Sequence, residues 1–170
     1  LGVRLHIDAV QGFTKLPASL WSRADYVTLS AHKLGGPKGV GALIVRDNET
    51  LSPTHFGGSQ ETKRRGGTEN TLGISGFAAA CESPYCSSEA LSRIEGLRDH
   101  LESSLQTALV DTEVIAQKSK RLVNTSCLRV PGVPAEILLG VLDMAGIAVS
   151  AGSACSSGSI SPSHVLLAMG

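Results

Sequence analysis

Apolar and polar positions alternate from the start of the chain. In Val3-Arg4-Leu5-His6-Ile7 every second residue is aliphatic, which predicts a strand that begins almost without lead-in. Tyr26-Val27-Thr28-Leu29 and Gly41-Ala42-Leu43-Ile44-Val45 predict two more, with Asp47-Asn48 as turn residues and a weaker fourth strand over 51–55. Residues 11–21 are broken by Pro17 and serve as a connection. From Asn70 to Cys81 the pattern is helical until Ser83-Pro84 stops it, and a second domain is expected to begin there. Leu91, Ile94, Leu97, Leu101 and Leu105 recur at steps of three and four, the stripe of an amphipathic helix over 87–109. Ser88 is the expected cap, and Glu89 suits the positive end of the helix dipole. Beyond it the pattern predicts a strand at 123–130, a helix at 134–145, a strand at 147–149, and a helix of two turns at 163–169 opened by Ser161-Pro162. Alternating strands and helices make the fold class α/β.

Composition removes several function classes. The chain has 170 residues, 42% of them hydrophobic and 18% charged, enough apolar material for a packed core. Fifteen Lys+Arg balance fifteen Asp+Glu, and the longest basic run is Lys63-Arg64-Arg65, so the footprint of a nucleic-acid binder is missing. Aromatic residues are only 4%, too few for a stacking platform. No run of apolar residues is long enough to span a membrane, and the first residues do not read as a signal peptide. Cys81, Cys86, Cys127 and Cys155 form no C-x-x-C pair and no metal-ligand spacing with the histidines, which predicts no metal site and a reducing, cytoplasmic setting. The strand without lead-in and the short final helix together predict a piece of a larger protein.

Chemistry concentrates at a few positions. Asp8 closes the first predicted strand and Lys33 lies just past the second, and ligands of open α/β sheets collect at the carboxyl ends of strands. A lysine forms Schiff bases with aldehydes, and a carboxylate facing a pyridinium nitrogen is the recurring partner in enzymes using pyridoxal 5'-phosphate (PLP). Taken alone, the pair also fits two solvated residues at strand ends. Residues 35–41 are glycine-rich without meeting the P-loop pattern, and they read as a tight turn between strands. Residues 57–68, with Arg64, Arg65, Gly66, Gly67 and Thr68, can offer cations, N–H groups and a hydroxyl to a phosphate, or can be a surface loop. Cys155 stands in a small, polar segment, 150–162, where a thiolate can reach out and react. Cys81 and Cys127 are expected in the core; Cys86 fits either setting.

Four segments in order, His6-Ile7-Asp8-Ala9-Val10-Gln11, residues 30–41 around Ser30-Ala31-His32-Lys33, Arg65-Gly66-Gly67-Thr68-Glu69-Asn70, and Ser150-Ala151-Gly152-Ser153-Ala154-Cys155, resemble the successive motifs of cysteine desulfurases of the class V aminotransferase group. The resemblance implies a PLP-dependent transferase of fold type I: the end of the large domain over 1–82 and most of the small C-terminal domain over 83–170. It implies that Lys33 is the Schiff-base lysine and moves the α-proton, that Asp8 binds the pyridinium nitrogen and Gln11 the phenolate oxygen, and that Ser30 and His32 hold the phosphate. Thr68 is implied to reach the phosphate in a neighbouring subunit of a homodimer. Cys155 is implied to take the sulfur of L-cysteine as a persulfide, leaving L-alanine, and to pass it to a sulfur acceptor or iron-sulfur scaffold protein. The long Ser/Gly segment around Cys155 resembles the NifS/IscS-like branch.

The family's N-terminal half, with a histidine that stacks on the cofactor ring, is not in this sequence, nor is the arginine that binds the substrate carboxylate. The resemblance therefore implies that this chain alone does not turn over cysteine. Two alternatives stay open: a related enzyme such as a selenocysteine lyase or aminotransferase, and a non-catalytic fragment that keeps a dimerisation or scaffold-binding surface.

Overall fold

A computed structural model of the chain describes residues 2–47, 49–152 and 163–169. Three strands, β1 (His6–Asp8), β2 (Tyr26–Ser30) and β3 (Gly41–Val45), form one sheet in that order. β1 runs parallel to β2 with Asp8 opposite Thr28, and β3 returns antiparallel with Gly41 opposite Ser30. Side chains alternate across a pleat, so this register sorts the sheet into two faces. Ile7, Val27 and Leu29 share one face, and Val27 and Leu29 are buried in a cluster with Ala9, Ala24, Ala31 and Phe77. His6, Asp8, Thr28 and Ser30 share the other.

Phe77 comes from α2 (Thr71–Cys81), which Asn70 caps by accepting the Gly73 N–H at 3.0 Å. Beside Phe77, α2 carries glycine at 73 and 76 because side chains of residues 37 and 40 press close. A Cβ on Gly73 would stand 2.3 Å from Val40 Cγ2, and one on Gly76 2.6 Å from Pro37 Cγ; one on Gly36 would meet Ala80 Cβ at 3.2 Å. Residues 36–40 thus lie along one edge of the helix, and the turn bearing Lys33 is braced from behind. Gly76→Leu is expected to destabilise the protein by about 2 kcal/mol through overpacking, read as a lower urea midpoint with an unchanged denaturant slope. An unchanged midpoint would mean that residues 36–40 do not lie against α2 in solution.

After α1 (Gln60–Lys63), where Glu61, Thr62 and Lys63 all take left-handed backbone angles, α2 leads through a turn into α3 (Ser88–Ala108). The helix forms as expected, but the stripe is only partly covered: Leu91, Ile94 and Leu105 are half-buried, Leu97 and Leu101 are exposed, and the one buried residue of the helix is Glu102. Ser87 rather than Ser88 caps it, its hydroxyl accepting the Ala90 N–H at 3.2 Å. β4 (Glu113–Val114) and β5 (Leu128–Arg129) pair antiparallel, followed by α4 (Ala135–Met144) and α5 (His164–Met169). The chain divides into two compact units, residues 1–103 with 116–126, and 104–115 with 127–170.

Several expected elements come out differently. Residues 51–55 form no strand, and the strand expected over 123–130 shrinks to two residues because only Glu113–Val114 lies alongside it. Cys127 is exposed rather than in the core, since it alternates with the half-buried Leu128. Residues 147–149 join no sheet: Gly146 turns left-handed at the end of α4, and the Ile147 N–H is taken by Leu142 O at 2.8 Å. No helix among the described residues is long and apolar enough to cross a membrane.

Candidate functional site

β1 and β2 end side by side, about 4.8 Å apart as neighbouring strands are, and the polar groups lie at these ends and on the turn after each strand. Asp8 is the last residue of β1 and is exposed; its Oδ1 accepts the Val10 N–H at 3.0 Å, which leaves Oδ2 to a ligand. The chain then turns, with Gly12 N and Phe13 N both bonding Ala9 O, and Gln11 is exposed on that turn. Ser30 is the last residue of β2, and the 3-10 turn Ala31–Leu34 begins at once. Ala31 is buried completely and anchors the turn, while the next two residues, His32 and Lys33, are exposed. Gly35, left-handed at φ 82°, ends it. Ser30 Oγ and His32 Nδ1 are 2.8 Å apart, so hydroxyl and imidazole present themselves together.

Asp8, Ser30, His32 and Lys33 are thereby gathered at one end of the sheet, with Gln11 on the adjoining turn. Thr68 is exposed on the stretch that leads into α2. Cys155 lies outside the described residues. Residues 53–66 surround an open hollow of about 340 Å³, lined by His55, Lys63 and Arg65 among others; the Gly66 N–H bonds His55 O at 2.7 Å and closes that loop on itself.

Lys15 is a group that sequence reasoning passed over. Its Nζ donates to Gln11 O at 3.0 Å, on the turn just after Asp8. Burial pushes its amine below the ordinary lysine range; the Cys86 thiol pulls it back up and the Lys33 cation lowers it further. The signal was available only as position: four residues after Gln11 on a tight turn.

The aminotransferase class-V family model matches residues 1–170, the whole chain. The chain belongs to the class-V aminotransferase family. Among curated members it is 42% identical over 169 residues to a cysteine desulfurase of Enterobacter agglomerans, covering 99% of this chain and 42% of that protein. It is 46% identical over 166 residues to a putative cysteine desulfurase, IscS 1, of Bacillus subtilis, covering 96% of this chain and 44% of the relative. The chain thus spans well under half the length of these class-V relatives. The fold matches a NifS-like protein from Rickettsia africae with a TM-score of 0.81 at 35% identity, over 88% of this chain and 42% of that one. A structure described as SspA in complex with cysteine matches with a TM-score of 0.74 at 31% identity, over 99% and 46%. The α/β architecture is that of NifS-like class-V proteins.

The donor set at the strand ends suits the cofactor that the family implies. A carboxylate with one oxygen free fits a pyridinium N–H, a primary amine fits an aldehyde, and a hydroxyl beside an imidazole fits a phosphate.

Proposed function

We propose that the chain is part of a PLP-dependent cysteine desulfurase that releases sulfur from L-cysteine as an enzyme-bound persulfide, with L-alanine as the other product. The observation that carries this reading is the convergence of Asp8, Ser30, His32 and Lys33 at the carboxyl ends of two adjacent parallel strands, in a chain 42% to 46% identical to proteins named cysteine desulfurases. When bound, PLP supplies an electron sink for the α-carbon of an amino acid.

In this reading Lys33 holds the cofactor by its aldehyde and carries the α-proton on Nζ. Asp8 keeps the ring nitrogen protonated, Gln11 bonds the phenolate oxygen, and Ser30 and His32 hold the phosphate. Thr68 serves the cofactor of a second subunit in a homodimer. Cys155 accepts the sulfur: the substrate's C–S bond breaks, an S–S bond to Cys155 forms, and the carbon skeleton leaves as alanine. Residues 1–82 then belong to the PLP-binding large domain and 83–170 to the small domain. A sulfur acceptor or iron-sulfur scaffold protein in the cytoplasm takes the sulfur onward.

The test is alanine and sulfide production from L-cysteine with a thiol reductant, using the complete protein that carries this chain. Equal amounts of both are expected, and Cys155→Ser is expected to lower the rate roughly a hundredfold or more while the cofactor stays bound. A Cys155→Ser protein that forms alanine from L-cysteine at the parent rate would overturn the assignment of Cys155. Activity confined to selenocysteine would favour the lyase.

A further inference from the structure

On the polar face of the sheet, a hydrogen bond joins β1 to β2 outside the roles above. His6 Nε2 and Thr28 Oγ1 are 2.7 Å apart. Thr28 is the register partner of Asp8, and both side chains leave the same face. Thr28 is therefore the hydroxyl next to the Asp8 carboxylate across the strand pair. Yet it bonds diagonally backward to His6, which pairs in register with Tyr26 and stands edge-on to that ring, with centroids 6.4 Å apart.

The direction of this bond matters for Asp8. Oδ1 is occupied by the Val10 N–H, so Oδ2 is the oxygen left for a ring-nitrogen proton. A threonine hydroxyl free to rotate would find that anionic oxygen its best acceptor, because hydrogen bonds to charged groups are the stronger ones. Such a bond would draw electron density from the carboxylate and weaken its hold on a second donor. We propose that His6 is a positioning residue that engages the Thr28 hydroxyl and so keeps Oδ2 of Asp8 open for the cofactor's ring nitrogen. The inference rests on the reading of Asp8 as that nitrogen's partner. His6 touches neither cofactor nor substrate in this role.

The test uses the complete protein, with two readouts: the PLP dissociation constant from absorbance, and the 15N chemical shift of the ring nitrogen in labelled PLP bound to the protein. His6→Phe is expected to raise the dissociation constant roughly tenfold, about the worth of a weakened charged hydrogen bond, and to move the nitrogen signal toward the unprotonated form. Thr28→Val is expected to stay within about twofold of the parent, since it removes the competing hydroxyl. The double variant His6→Phe/Thr28→Val is expected to recover the parent shift, and His6→Gln, whose amide can still engage Thr28, to remain near the parent. If His6 only pins β1 to β2, His6→Phe and Thr28→Val weaken binding alike, the double variant shows no recovery, and the nitrogen shift does not move; that pattern overturns the proposal. Should the parent protein bind no PLP at Lys33, the reading of Asp8 fails and the proposal with it, whereas parent binding without a His6→Phe effect removes the proposal alone.

Discussion

Lys33→Ala, made in the complete protein, is expected to abolish the yellow absorbance of bound PLP and to lower turnover of L-cysteine by at least roughly a thousandfold. The expectation rests on where Lys33 stands. It is exposed on the turn after β2, and the turn keeps its shape through Ala31 in the core and Gly35 at its end. Its amine makes no side-chain hydrogen bond or ion pair among the described residues, so removing it should leave the fold intact. Borohydride reduction followed by peptide mass spectrometry reads the attachment directly. A second amine nearby makes the test sharper: Lys15→Ala is expected to keep the absorbance. Colour that persists in Lys33→Ala but vanishes in Lys15→Ala would transfer the attachment to Lys15.

Arg121→Met is expected to cost about 3 kcal/mol of stability, because it strands a buried carboxylate. Glu102 is only 3% exposed on α3, and Arg121 grips it with two hydrogen bonds, Nη1 to Oε1 at 2.7 Å and Nη2 to Oε2 at 2.8 Å. Arg98, on the same helix, donates to Leu122 O at 3.0 Å. These bonds bind residues 121–122 to α3. The Arg121 hydrogen bonds hold the Glu102 carboxyl down at about 2, against burial, which works the other way. A carboxyl held below its unfolded value stabilises the fold fully above pH 4.5, and that contribution fades as the pH falls toward 2. Urea unfolding as a function of pH checks both points. Replacing both partners, Glu102→Leu with Arg121→Met, is expected to recover most of the loss, since an apolar pair leaves no uncompensated charge. Equal instability in the single and double variants would show that packing at this position, not charge, is what matters.

Neither Glu102 nor Arg121 stands out in the sequence. Glu102 falls one residue after Leu101 in the amphipathic stripe, where a carboxylate reads as solvated, and Arg121 is nineteen positions away on a stretch with no periodicity. Long-range pairing of this kind leaves no local pattern. The same holds for His6 and Thr28, whose contact depends on the parallel register of two strands separated by seventeen residues of connection (9–25).

Local rules were enough for much of the rest. The strand-forming runs 26–29 and 41–45 and the helical patterns over 70–81 and 87–109 each depend on residues within a few positions, and those elements form where the pattern puts them. Asp8 and Lys33 are legible as strand-end residues for the same reason, and the four ordered motifs by themselves point to the class-V family. The tertiary structure decided what needs a partner from elsewhere. It decided that 123–130 and 147–149 do not extend a sheet, because a strand requires a neighbour to satisfy its N–H and C=O groups. It decided that Cys127 faces outward, that Lys15 is half-buried near Lys33, and that α2 must be glycine at 73 and 76 where residues 37 and 40 press against it. Each of these is fixed by the packing of segments far apart in the chain, and sequence periodicity carries no information about which segments will meet.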